Sequence, residues 1–306
     1  MIREAELEVL GALRIPATIS ELADRMGRSQ NRVSEIVSGL SAKGLVLKQR
    51  EGRSKRIVPT ESKAVELYHD IITRYGHTDP PKLLAGKGIE LLYYLDEPIT
   101  VRELAERTDN YRNTVHRRLK TLQNRGIVGK TDSTYVLTEE FTVFHEFATE
   151  LIHHDHRRKV GEAVDTSTIL WEDHESFLFE TPEEIEDERF VLTGPRRFQE
   201  HGIPLLPTDR RHYLYTESQL TLGPEELICH TLLIDSGPRY QSYCLLLMSA
   251  VDIDDDRLGR LAQRYDVSTL VEDLITYLET RGSVRTDSQP SWDEFRELAQ
   301  EYRVVV

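Results

Sequence analysis

Lysine is scarce in this chain. Nine lysines stand against 30 arginines among 306 residues, and none follows Lys159. Cysteine is scarcer still, with only Cys229 and Cys244. Two are too few for a disulfide scaffold or a zinc ribbon, and they fit a reducing cytoplasm, the expected location. Long apolar runs are missing too. The longest lies near "CLLLMSAV" at Cys244 and is far too short to span a bilayer, so no membrane partner is expected. No secretory leader is expected, because Arg3, Glu4, Glu6 and Glu8 break up the first turns. There is no Gly-rich phosphate loop, no GxSxG and no HExxH. Neither an enzyme nor a cofactor is expected.

The charge that is present is unevenly placed. The formal net charge is −14. Residues 1–150 hold 23 Lys+Arg against 22 Asp+Glu, a net of +1; residues 151–306 hold 16 against 31, a net of −15. The first part can carry local basic patches, whereas the second would repel a polyanion. An acid-rich, Lys-poor, Arg-rich surface is the composition of salt-loving cytoplasms.

The first part contains a repeat. "TISELADRMG" at Thr18 aligns with "TVRELAERTD" at Thr100, and "SQNRVSEIVSGLSAKGLV" at Ser29 with "YRNTVHRRLKTLQNRGIV" at Tyr111. One shift of 82 residues, without a gap, matches Leu22 with Leu104, Val33 with Val115, Leu40 with Leu122 and Gly44 with Gly126. Two copies point to a duplicated domain, since a solenoid needs more. Each copy reads as an amphipathic helix ("EAELEVLGAL", "GIELLYYL"), a short extended piece and a capped helix. Thr100 and Glu103 have capping-box spacing. A tight turn at Gly27 or Asp109 leads to a third helix that stops at Gly44 or Gly126. A hairpin closes each unit, and its return strands match at a shift of 78, so the second is four residues shorter.

Three helices with such a turn and a terminal hairpin resemble the winged helix-turn-helix domain of MarR-, ArsR- and TrmB-like transcription regulators. The resemblance covers about residues 1–140. It implies a first winged helix over 1–61, a linker helix and proline-containing linker over 62–85, a second winged helix over 86–140 and a connecting helix over 141–162. The remainder, 163–306, reads as an acidic α+β domain with a helical C-terminal part, so the fold class is α+β. The partner implied is double-stranded DNA, with the third helix in the major groove and the wing on the backbone or minor groove. In resembling families the helices after the wing dimerise. "ELYHDIITRYG" and "FHEFATELIHH" occupy that place, and a homodimer is expected.

Helical geometry places Val33, Ile36, Val37 and Leu40 in the core. The opposite face of the first copy carries Asn31, Glu35 and Ser38, with Arg32 and Ser34 flanking. Its candidate DNA contacts are Arg28, Gln30, Asn31, Arg32 and Ser34, with a basic wing of Lys48, Arg50, Arg53, Lys55 and Arg56. The second copy offers Tyr111, Arg112, Asn113, Thr114, His116, Arg117 and Lys120 on its helix, and its short wing has only Lys130. The first copy is therefore expected to hold DNA through its wing, and the second to insert its helix. Arg117 and Lys120 suit guanine edges and Asn113 suits adenine.

Beyond the repeat, "STILW", "FLFET", "RFVLTG", "IPLLPT" and "HYLYT" read as strands, and helices follow from Pro224. "HHDH" at His153 has metal-ligand chemistry but reads better as a polar helix end. "DIDDD" at Asp252 reads as a helix start capped by Asp254. Cys229 and His230 read as a buried pair rather than a catalytic dyad. "YTESQLTLGPEELICHTLL" and "DIDDDRLGRLAQRYDVSTLVEDLITYLE" are similar to the C-terminal region of AbiE-type antitoxins, with Pro224, Glu225, Leu232, Leu233 and Leu258 on the pattern. That resemblance implies a protein partner for the C-terminal domain. Arg196, Arg197, Arg210 and Arg211 are its candidate contacts for an anionic effector.

Overall fold

The computed structural model describes residues 1–51, 54–206, 208–217 and 221–306. The chain is mixed α and β with small antiparallel sheets, in two compact units, Met1–Lys159 and Val160–Val306.

The first unit opens with α1 (Glu4–Ala12), α2 (Ile19–Met26), α3 (Gln30–Ala42) and a hairpin of β1 (Val46–Glu51) and β2 (Ser54–Pro59). The order recurs as α6 (Lys87–Tyr93), β3 (Ile99–Thr100), α7 (Val101–Arg107), α8 (Arg112–Gln123), β4 (Val128–Thr131) and β5 (Thr134–Leu137). Thr100 and Glu103 form the capping box, and so do Thr18 and Glu21. Each threonine hydroxyl accepts from the N–H three residues on, and each glutamate accepts the threonine N–H. Such a cap contributes about 1 kcal/mol. Gly27 (φ 61°) and Asp109 (φ 45°) make the left-handed turn before the third helix, while Gly44 (φ 67°) and Gly126 (φ 72°) end it.

The copies repeat each other bond by bond. Leu45 N–H bonds the Leu40 carbonyl, as Ile127 does that of Leu122. Thr60 N–H bonds the Leu45 carbonyl at 3.0 Å, as Thr138 does that of Ile127 at 3.0 Å. Ala17 bridges Ile57 and Ile99 pairs with Tyr135, again equivalent positions. One difference has a covalent cause. Leu137 N–H bonds the Leu95 carbonyl, but Pro59 stands at the equivalent place and has no N–H to give.

The repeat extends beyond the hairpins. The helices that follow them, α4 (Lys63–Tyr75) and α9 (Thr142–Gly161), match at a shift of 76. His69 donates through Nε2 to the Leu10 carbonyl at 3.0 Å, and His145 through Nδ1 to the Leu92 carbonyl at 3.1 Å. Each histidine thereby adds a second donor to a carbonyl near the end of its own copy's first helix, beside the Leu13 and Leu95 N–H groups. Tyr68/Phe144, Ile71/Phe147 and Thr73/Thr149 fall in the same register.

Residues 62–85 hold α4 and pack Val65, Tyr68, Ile71, Leu83 and Leu84 into the core of the first unit. Pro80 and Pro81 open a short α5 (Pro80–Leu84) at positions where their missing N–H costs nothing. Thr78, Pro80, Leu83 and Leu84 are buried. Here Gly88 permits a close approach: a Cβ on it would lie 1.9 Å from the Leu83 carbonyl oxygen. Gly88→Ala is expected to destabilise the first unit by about 1–3 kcal/mol through overpacking, measured by denaturant unfolding.

The second unit has a four-stranded antiparallel sheet, β6 (Thr168–Glu172), β7 (Phe177–Thr181), β9 (Arg211–Tyr215) and β8 (Phe190–Thr193), in that spatial order. Alternation gives the sheet two buried faces. Leu178 and Leu214 join the core of α10 (Pro224–Ile234), α11 (Pro238–Ala250), α12 (Asp255–Arg264), α13 (Ser268–Glu279) and α14 (Trp292–Glu301). Phe177, Phe179, Tyr213 and Tyr215 face the other way into an aromatic layer, where the Phe177 and Tyr215 rings stack at 4.8 Å. Of "IPLLPT", Ile203–Leu206 is irregular and not a strand, because Pro204 cannot donate to a ladder and the Ile203 N–H is spent on the Phe198 carbonyl, while Pro207 lies outside the described residues. An unforeseen 3₁₀ helix, Gly194–His201, precedes it.

Candidate nucleic-acid interface

Helix α3 buries Val33, Ile36, Val37 and Leu40 and exposes Gln30, Asn31, Arg32, Ser34, Glu35 and Ser38. Its polar face is largely self-neutralised. Arg32 pairs with Glu35 at 3.0 Å, Arg28 with Glu8 at 2.5 Å, and Gln30 bonds the Ser20 hydroxyl at 3.3 Å. The hairpin is different. Arg50 lies directly opposite Lys55, and Gln49 opposite Arg56. Like charges facing across a ladder are destabilising unless an anion screens them. Lys48 bonds the Ser38 hydroxyl at 3.0 Å, which ties the hairpin's base to the face of α3. Arg56 reaches the Pro16 carbonyl at 3.4 Å. Arg53, expected in the same patch, lies outside the described residues.

Helix α8 buries Val115, Leu119 and Leu122 and exposes Tyr111, Arg112, Asn113, His116, Arg117 and Lys120, with Thr114 half-buried. It carries Arg112, Arg117, Arg118 and Lys120 and no acid, a local charge of +4. Among the described residues, no hydrogen bond or ion pair engages the side chains of Arg112, Asn113, His116, Arg117 or Lys120. Tyr111, just before the helix, is 87% exposed, an unusual setting for so large a ring. The second hairpin offers Lys130, whose ammonium sits 5.3 Å over the Tyr135 ring.

The entry to each third helix is braced at an equivalent position. Glu8 holds Arg28, and Glu90 accepts the Asn110 amide at 2.9 Å. Asn110 also bonds the Thr108 carbonyl at 2.8 Å, and Lys87 donates to its side-chain oxygen. Glu90 and Asn110 are buried, so the start of α8 is fixed by a satisfied polar network. The same shift of 82 that reveals the repeat pairs Glu8 with Glu90 and Arg28 with Asn110.

The other candidates resolve without reactive chemistry. His145 faces the Leu92 carbonyl, His154 the Lys43 carbonyl at 2.9 Å, and His153 accepts from Arg157 at 2.5 Å. Among the described residues no three His, Cys, Asp or Glu side chains gather around a metal-sized site. Asp254 caps α12 by accepting the Arg257 N–H at 2.9 Å. Burial lowers the His230 imidazole to about 3 and raises the Cys229 thiol to about 12. Neither is poised to react, and His230 instead meets the Thr193 hydroxyl at 2.7 Å.

The four arginines of the second unit separate into two pairs. Arg197 is taken up by Glu200 at 2.6 Å and Arg211 by Glu184 at 3.1 Å. Arg196 and Arg210 instead line a pocket with His212, Arg239, Tyr240 and Tyr243. Arg239, distant in sequence, carried no signal of belonging there. Burial, then the Arg196 and Arg210 charges, lower His212 to about 4. The Arg196 Nε is buried with no partner among the described residues, and Glu180 is a nearby counter-charge, 3.9 Å from Arg210.

No helix among the described residues is long and apolar enough to cross a membrane. Three family models match parts of the chain. One described as HVO_A0114 matches residues 1–63, the first copy with its hairpin. The HVO_A0261 N-terminal domain matches residues 88–159, the second copy with α9. One described as HVO_2833_C, C-terminal, matches residues 187–304. No curated protein and no solved structure matches the chain. The chain is thus similar to three separate domain families, joined here in one polypeptide.

Proposed function

We propose that the chain is a sequence-specific double-stranded-DNA-binding transcriptional regulator of the cytoplasm, not an enzyme, with two winged helix-turn-helix units. The observation that carries this reading is α8: four cations, no acid, and a polar face with no side-chain partner among the described residues. A merely solvated face would be expected to look like α3, where Arg32 finds Glu35. The opposed Arg50 and Lys55 support a phosphate contact from the first hairpin. Electrophoretic mobility shift on the duplex upstream of the chain's own reading frame tests the proposal. Log affinity is expected to fall linearly with log salt, with a slope of about −0.9 per phosphate contact. Absence of a shift at modest salt, with folded protein, would refute it.

The second unit, on this reading, senses a small anion in the pocket of Arg196, Arg210 and Arg239. Three cations converge there in a part of the chain whose net charge is −15. Inorganic phosphate is expected to raise the melting midpoint of the wild type and not that of Arg210→Gln. At a hundred times the dissociation constant the stabilisation would be about 2.7 kcal/mol. An equal shift in both proteins would place the anion elsewhere.

A further inference from the structure

The contacts between the copies, like the copies themselves, come in equivalent pairs. On the shift of 82, Lys43 corresponds to Arg125; on the shift of 76, Thr78 corresponds to His154. The Lys43 carbonyl accepts from His154 at 2.9 Å, so position 43 of the first copy meets the second copy's α9 at a position inside that helix. Arg125 donates to the Thr78 carbonyl at 2.5 Å, so the matching position of the second copy meets the end of the first copy's helix. The contact is made in both directions. A head-to-tail arrangement would make it once; reciprocal contact is the mark of a twofold, isologous interface.

The centre of that interface is apolar. Tyr68 of α4 meets Phe147 of α9 at 5.3 Å, and Tyr75 meets Phe144 at 5.6 Å and Phe141 at 4.9 Å. The Tyr75 hydroxyl donates to the Glu140 carbonyl at 2.7 Å. One continuous core runs from Ile2 to Ile152 through both copies. The faces expected to pair two chains are therefore spent within one. Both third helices are held at their C-terminal ends, through Lys43 and Arg125, while their N-terminal halves stay exposed.

We infer that residues 1–159 are a dimer written into a single chain, and that its target is one asymmetric duplex site with two unlike halves. One half is gripped along its backbone by the first hairpin, and the other is read at its base edges by α8. This rests on the DNA-binding reading and goes beyond it, because it fixes stoichiometry and site symmetry. Two reading heads related by a twofold normally face half-sites about one helical turn apart.

The test uses the full chain. Light scattering without DNA is expected to show one chain per particle; a stable homodimer would overturn the inference. Selection from random duplexes is expected to return a non-palindromic site that binds one chain, with sequence information concentrated in one half. Hydroxyl-radical footprinting of Arg117→Ala is expected to keep protection of the other half. The double variant Arg50→Gln, Lys55→Gln should lose protection of that half alone. A palindrome bound by two chains would overturn the inference and leave DNA binding standing. Complete failure to bind any duplex would end both.

Discussion

An Asn113→Ala, Arg117→Ala chain is expected to bind most duplexes about equally well, because the discrimination is lost while the grip remains. Both side chains are exposed near the N-terminal end of α8, where a helix in the major groove meets base edges. Arginine can donate twice to guanine, and asparagine can match adenine's donor and acceptor. Each such pair discriminates by about 1–3 kcal/mol, or roughly 5-fold to 160-fold per contact. Among the described residues neither side chain has a partner, so their removal leaves no described buried group unpaired and the fold should survive. Competition between the selected site and a scrambled duplex measures the effect. The ratio is expected to fall by the product of the two factors, whereas removing Arg50 and Lys55 is expected to weaken both duplexes alike and flatten the salt slope. A double variant that preserves the ratio would show that α8 does not read bases.

Acidification is expected to unfold the second unit before the first. His230 is enclosed by α10 and the Tyr265 ring, 4.7 Å away, and burial lowers it from 6.5 to about 3. His212 is lowered to about 4 by burial and by Arg196 and Arg210. In the unfolded chain both imidazoles take up a proton near pH 6.5, but in the folded unit they stay neutral. The unfolded state then binds more protons, so stability falls as pH falls. The loss begins near pH 6.5 and ends near pH 4 for His212 and pH 3 for His230, at about 1.4 kcal/mol per pH unit for each. The first unit behaves otherwise. Burial opposes the charge on Glu6, but Arg3 and Lys43 outweigh it and hold this carboxylate below its ordinary range. Its contribution is complete above the ordinary glutamate range and is lost only below it. Circular dichroism melts from pH 7 to pH 4 would check the order. His230→Gln should flatten the profile of the second unit; an unchanged slope would mean that other groups govern it.

Much of the first unit is legible because its signals are local. Capping threonines, turn and stop glycines, and the 3.6-residue spacing of Val33, Ile36, Val37 and Leu40 each act within a few residues. The interface between the copies is less so. Its key residues match at 76 and not 82, since the second copy is shorter in its hairpin and again after it. His69 and His145 therefore fall out of register with the strongest part of the repeat. The brace of Glu90 and Asn110 was in register but looked like ordinary polar surface. In the second unit Arg239 reaches the pocket from a helix far along the chain, which only tertiary packing brings close. Ile203–Leu206 shows the opposite failure: its apolar residues suit a strand, but Pro204 bars the ladder.

The tether between the two copies also sets how occupancy answers to dosage. Two separate subunits must first find each other, so the amount of assembled reader rises with the square of expression at low abundance. Here the two copies are born joined. If the proposed DNA binding holds, promoter filling follows the number of molecules to the first power, giving a graded dial where a self-assembling pair would give a threshold.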